Sequence, residues 1–255
     1  MTPRNEHEFI LPDSRQQSLI TYNHPMTHAD TSDTPWSRQL WLRFRAHWWA
    51  KSLGTIAGIT AFMWVYFWLL RHPQFPVTVM PLTPLDRLIP FTPWALLPYA
   101  TLWLYISLAP ALLATWREMA PYLAAVATLT LLGFALFWFW PTEIPVPAID
   151  WNRYPSVEFL KSVDASGNAC PSLHVAFAVL TALWLHLLLK LVAAPTWLRV
   201  LNGLWCLLIA WSTLAIKQHV ALDMEAGALL GLAVGVLHLH LLPRLRGMPV
   251  SHEIP

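Results

Sequence analysis

The chain has 255 residues, of which 56% are hydrophobic and only 12% charged, about half the charged share of an ordinary soluble domain. That composition excludes a soluble globular domain, and a formal net charge of +2 is too small for a nucleic-acid-binding protein. Two cysteines, Cys170 and Cys206, cannot build a disulfide framework, and one falls in an apolar run, so both are read as free thiols.

Residues 1–35 are rich in Thr, Asp, Asn, Pro and His without apolar periodicity, which predicts a disordered tail. They contain no apolar signal-peptide core, so the first span is expected to do the targeting. The next stretch, "PWSRQLWLRFRAHWWA", predicts an interfacial helix over 36–50. Leu40, Trp41, Phe44 and Trp48 recur at helical spacing, and Arg38, Arg43 and Arg45 supply positive charge towards an anionic leaflet. A basic flank to the first span explains the same residues equally well.

Six apolar runs follow, at 52–70, 94–115, 122–140, 171–192, 197–216 and 220–242. Each approaches the ~20 residues that a helix needs to cross a core of ~30 Å. The expected fold is all-α: a six-helix transmembrane bundle forming one domain over 51–243, with a second tail over 244–255. Trp48, Trp49, Trp94, Trp116, Trp138, Trp140 and Trp197 lie near predicted span ends, where an aromatic belt belongs. Eleven of the 16 basic residues flank the spans on the side of the two termini. The positive-inside rule therefore puts the termini in the cytoplasm, and the localisation expected is a bacterial-type inner membrane with the site facing the periplasm.

The loops on the outer side, 71–93 and 141–170, are proline-rich, break helices and lack strand alternation. They are long for connecting loops, which suits a lid or a route for substrate. The layout has no inverted pair of broken segments, so a transporter finds little support.

The outer end of the fourth span reads "PSLH". His174 needs a polar partner there, because an unpaired polar group in hydrocarbon costs roughly 2–7 kcal/mol. The stretch "LAIKQHVALD" offers one. His219 and Asp223 are four apart and, read as helix, share a face, so the carboxylate can fix the imidazole tautomer. His174 and His219 both begin spans entered from the outer side, which places them at similar depth. A His oriented by Asp, with a second His opposite, is the arrangement a phosphoryl transfer needs: one imidazole attacks phosphorus and the other protonates the departing oxygen. Pro171 at a helix start, the Ser172 hydroxyl and the amides of Ser172 and Leu173 would cradle the anion, with Lys217, Arg153 and Lys161 as outer-side cations. His186, His238 and His240 read as packing or inner-interface residues, Glu225 as a polar packing contact, and Asp86 with Arg87 as a surface pair.

These residues resemble the type-2 phosphatidic acid phosphatase superfamily, whose members work through a phosphohistidine. Its Pro-Ser-Gly-His motif is matched at Pro171, Ser172 and His174. Its Ser-Arg, five residues, His, three residues, Asp motif is matched by "STLAIKQHVALD" at Ser212, His219 and Asp223. Leu173 stands where the motif has Gly, Thr213 stands where it has Arg, and no Lys, six residues, Arg-Pro element precedes "PSLH". The element "DRLIPF" (Asp86, Ile89, Pro90, Phe91) and the altered motifs are similar to the branch that contains inositol phosphorylceramide and sphingomyelin synthases.

The resemblance implies a six-helix membrane fold, with His219 as nucleophile, Asp223 as its orienting partner and His174 as general acid. It also implies a lipid phosphate or diphosphate as substrate, membrane lipids as surroundings, and neither metal nor other cofactor. Hydrolysis is the first expectation and head-group transfer between lipids the alternative. A non-enzymatic haem or lipid-binding membrane protein is the alternative of another class.

Overall fold

The computed structural model describes residues 34–163 and 167–240. The tails expected over 1–35 and 244–255 fall on residues that lie, but for 34 and 35, outside the described ones. Six helices are long and apolar enough to cross a membrane. They are α2 (Trp48–Arg71), the run Pro93–Leu112, α6 (Trp116–Phe139), α8 (Leu173–Leu191), α9 (Thr196–Ala215) and α10 (Ala221–His240). Short helices complete the set: α1 (Trp36–Arg45), α3 (Pro84–Leu88) and α7 (Pro155–Val163). The second span is composite, a 3-10 turn at Pro93–Ala95 followed by α4 (Leu96–Ala100) and α5 (Leu102–Leu112).

α8 is the most buried of the six spans and α2 the least. α5, α9 and α10 all pack on α8, which makes it the axis of the bundle. Many large apolar side chains point outward, among them Trp64, Leu97, Leu131, Leu207 and Leu229. In water such a surface would aggregate, and in a bilayer it is the lipid-facing side. Inside, polar side chains tie spans together. The Tyr105 hydroxyl donates to Asn202 Oδ1 (2.8 Å), and Asn202 Nδ2 donates to the Ala182 carbonyl (2.9 Å), so α5, α9 and α8 share one small network.

The interfacial helix is shorter than the expected 36–50. It ends at Arg45, and the chain turns at His47, whose φ of 50° cannot continue a helix. Arg43, expected to face lipid head groups, is instead buried. Its guanidinium donates to both carboxylate oxygens of Glu118 on α6, at 3.0 and 2.9 Å. Losing one partner of such a buried pair costs about 3–5 kcal/mol, so this contact fixes α1 against α6. Lys51 adds a second tie, its ammonium donating to the carbonyls of Arg43 (2.8 Å) and Ala111 (2.6 Å).

α6 begins six residues before the expected 122. Thr115 caps it, its hydroxyl accepting from the Glu118 amide (3.3 Å), and that start outweighs the one backbone hydrogen bond lost at Pro121. The proline-rich loops at the far end from α1 are also more ordered than their composition suggests. Strand β1 (Thr78–Val79) of the first loop pairs in parallel with β2 (Thr142–Glu143) of the second, too short a pairing to leave alternation in the sequence.

Candidate active site

The loop between α9 and α10 carries His219. α9 ends at Ala215, and the Thr213 carbonyl then accepts two amides, those of Gln218 (3.0 Å) and His219 (3.1 Å). Lys217 takes the left-handed conformation (φ 57°) that lets the chain double back. Its ammonium donates to the carbonyls of Asp86 (3.1 Å) and Ile89 (2.6 Å), pinning the turn to the "DRLIPF" segment. Burial lowers the Lys217 pKa, and the neighbouring Asp86 charge pulls the other way.

Asp86 is not a surface partner of Arg87. It is buried, and one oxygen accepts from the Ala221 amide at the first position of α10 (2.8 Å). The other accepts the amide and hydroxyl of Thr83 at 2.7 and 2.8 Å. A carboxylate on α3, 135 positions away, thus caps the helix that follows His219.

His219 and Asp223 do not share a helix face, because His219 precedes α10. Asp223 is the third residue of α10 and fully buried, and its Oδ2 accepts from the Val220 amide (3.1 Å). The same oxygen lies 3.5 Å from His219 Nδ1. Neither His219 Nδ1 nor Asp223 Oδ1 has a hydrogen-bond partner, although both are buried. A small shift closes this contact, and catalytic hydrogen bonds are often long before substrate binds.

Ser172 caps α8, its hydroxyl accepting from the Val175 amide (3.4 Å), and its own amide donates to the Asp223 carbonyl (2.9 Å). That bond joins the starts of the two helices that carry the motifs. It also means that Ser172, which is fully buried, already spends its amide and its hydroxyl acceptor within the protein. His174, two residues further on, brings its Nδ1 to 3.2 Å from His219 Nε2. Its other nitrogen, Nε2, lies 2.7 Å from the hydroxyl of Tyr99 on α4. A line of polar groups therefore runs Tyr99, His174, His219, Asp223, in hydrogen-bond contact as far as His219 and 3.5 Å apart at its last step. Tyr99 was not predicted from the sequence, where it is one aromatic in an apolar run; only its position one span away from both motifs, seen in three dimensions, reveals it.

Of the expected cations, Lys161 and Lys217 reach this loop and Arg153 does not. Lys161 on α7 donates to the Lys217 carbonyl (2.8 Å) and Gln218 Oε1 (2.9 Å), and its ammonium sits 4.9 Å from the Trp151 ring centre. Arg153 is exposed and pairs with Asp150 (3.1 Å). Among the described residues no group of three or more His, Cys, Asp and Glu side chains is placed to hold a metal ion.

From the histidine pair a cavity of about 450 Å³ runs between α2, α5, α6 and α8. Its walls include Phe62, Tyr66, Trp103, Ile106, Val126 and Phe177. The arrangement sets a paired imidazole, backed by a carboxylate, at one end of an apolar groove.

The sequence model of the PAP2 superfamily matches residues 118–246, just over half of the chain and nearly all of the segment from α6 to α10. No curated protein and no solved structure matches the chain. That match spans both histidine motifs and four of the six apolar helices, so the chain belongs to the PAP2 superfamily, and its six long apolar helices make it an integral membrane protein.

Proposed function

We propose that the protein is a membrane lipid phosphatase that hydrolyses a lipid phosphate or diphosphate through a phosphohistidine. The observation that carries this reading is the polar line from Tyr99 to Asp223 at one end of an apolar groove. Asp223 holds the His219 proton on Nδ1, which leaves the Nε2 lone pair for attack. His219 Nε2 bonds to phosphorus while the bond from phosphorus to the departing lipid oxygen breaks, and His174 gives that oxygen its proton. In the second half, water attacks the phosphohistidine, His174 takes the water proton, and phosphate leaves. A monophosphate yields a lipid alcohol, and a diphosphate yields a lipid monophosphate.

In this structure the two reactive nitrogens touch. An in-line phosphoryl group needs roughly 7 Å between them, from an approach of ~3 Å, one P–O bond and one hydrogen bond. Substrate binding must therefore part the rings by several ångströms. The N-terminus of α8 at Leu173, with Lys161 of α7 and Lys217 of the α9–α10 loop, provides positive potential for the anion in place of the arginine that Thr213 replaces. In the orientation expected from the basic flanks, the reaction takes place on the periplasmic side of a bacterial inner membrane.

The test is inorganic phosphate release by the purified protein from phosphatidic acid and from an isoprenyl diphosphate, beside His219→Ala and His174→Ala. Release that both substitutions reduce by about 10²–10⁴-fold supports the reading, and equal release by all three proteins rejects it.

Head-group transfer is a second reading, favoured by the way the "DRLIPF" segment caps α10 and pins the His219 loop. A lipid alcohol supplied with the donor would then yield a new phospholipid in place of free phosphate.

A further inference from the structure

The groove extends much deeper than the histidine pair requires. On α2 it is bordered by Tyr66, Phe62, Gly58, Gly54 and Lys51, one face of the helix at spacings of three and four. Tyr66 stands at the histidine end, where its carbonyl accepts from Asn168 Nδ2 (3.4 Å). Fifteen residues separate Tyr66 from Lys51, about 22 Å of helix. Half of the bilayer core is only ~15 Å. At Gly54 and Gly58 an added Cβ would meet no heavy atom within 4 Å, so the groove is open there. Lys51 borders the far end, its ammonium held by the carbonyls of Arg43, Ala111 and Leu113.

We propose that one extended hydrocarbon chain of the substrate fills this groove past the bilayer midplane, with Gly58 and Gly54 setting the chain length that the protein accepts. The inference rests on the lipid-phosphate reading above. The occupant is the substrate's own chain because the same cavity wall holds His174 and His219. Any lipid lying along it presents its phosphate to that pair. With ~1.25 Å of extension per carbon for bonds of ~1.5 Å, Gly58 lies about 10 carbons from Tyr66, Gly54 about 14 and Lys51 about 18. The substrate class is therefore a lipid phosphate with at least one chain of about 14 to 18 carbons.

The experiment uses single-chain alkyl phosphates of about 8, 12 and 18 carbons with the wild-type protein, Gly58→Phe and Gly54→Phe. Both glycines are exposed helix-interior positions where a side chain raises helix propensity, so the variants fold. Wild-type kcat/KM is expected to climb with chain length. Gly58→Phe should keep the shortest substrate within about twofold and lose at least about tenfold on the longest. Gly54→Phe should spare the intermediate chain as well. Uniform loss at every length, or no loss at any, overturns the proposal.

Equilibrium binding of the same series to the proteins carrying His219→Ala separates the two claims. A break in binding at the same lengths supports the groove even where wild type releases no phosphate, which would reject hydrolysis alone. Absence of a break in binding and in turnover rejects the groove while leaving hydrolysis standing.

Discussion

Tyr99 holds His174 from the side away from His219: its hydroxyl lies 2.7 Å from His174 Nε2, while His174 Nδ1 lies 3.2 Å from His219 Nε2. In the proposed reaction His174 acts as an imidazolium: the Tyr99 oxygen accepts from its Nε2–H, and its Nδ1–H is the proton that goes to the departing oxygen, leaving a neutral ring. Tyr99→Phe keeps the ring packed on His174, with centroids 4.9 Å apart, and removes only the hydroxyl. Expected is a fall in kcat of about tenfold with KM within about twofold, since one hydrogen bond of ~1–1.5 kcal/mol is lost from the acid. Phosphate-release kinetics check it, and an unchanged kcat would reduce Tyr99 to packing. A second outcome belongs to Lys217, whose pKa burial lowers. A lysine depressed on folding sheds its proton from the native chain before the unfolded one does. Raising pH through that window therefore favours the fold, and the cost of the buried charge is present below it. Lys217→Met should flatten the alkaline rise in Tm relative to wild type, measured by thermal unfolding in detergent across the lysine titration range.

Helix contacts set the distance on which this chemistry depends. Gly227 and Gly231 lie one turn apart on α10, and a Cβ at either would collide with backbone of α8, at the carbonyls of Ser172 and Ala176 respectively. Those glycines let α8 and α10 approach until the Ser172 amide reaches the Asp223 carbonyl. Gly227→Ala forces the helices apart at the motif level. The expected result is a loss of about 1–3 kcal/mol of stability, with activity falling more than stability does, because His174 and Asp223 separate. Thermal unfolding and phosphate release on the same preparation distinguish this from simple unfolding. The six spans were legible because a run of ~20 apolar residues has no other use in a chain this poor in charge. His174, His219 and Asp223 were legible as motif residues, since their spacing survives in sequence. What was not legible depended on partners far along the chain. Arg43 resembles a lipid-facing cation until Glu118, 75 positions on, takes it into the core. Asp86 resembles a surface residue until the Ala221 amide finds it. The starts of α2 and α6 shifted for local reasons, a left-handed turn at His47 and a threonine cap at residue 115.

For the whole molecule, an even number of spans puts α1 and the end of α10 on one side and the histidine site on the other. Which side is which follows from charge. Arg38, Arg43, Arg45, Lys51, Arg117, Lys190 and Arg199 flank spans at the α1 end, against Arg71, Arg87, Arg153, Lys161 and Lys217 at the site end. In the folded protein Arg43 and Lys51 are buried, which erases much of that difference at the surface. Insertion, however, reads the chain before it packs, when both still carry their charge in the flank of the first span. On the orientation we propose, α1 lies in the cytoplasm and the site on the periplasmic face, and part of the charge that favours it, at Arg43 and Lys51, is hidden by the finished fold. Cys170 and Cys206 are buried, and burial pushes the Cys170 thiol up to about 11, so neither competes for a maleimide near neutral pH. Asn152→Cys, next to the exposed Arg153, should react with a membrane-impermeant maleimide on intact spheroplasts. Trp197→Cys, at the exposed start of α9, should react only after lysis. The reverse pattern would turn the molecule over and move the reaction to the cytoplasmic leaflet, and removing the charges of Arg43 and Lys51 together should shift wild type part of the way towards it.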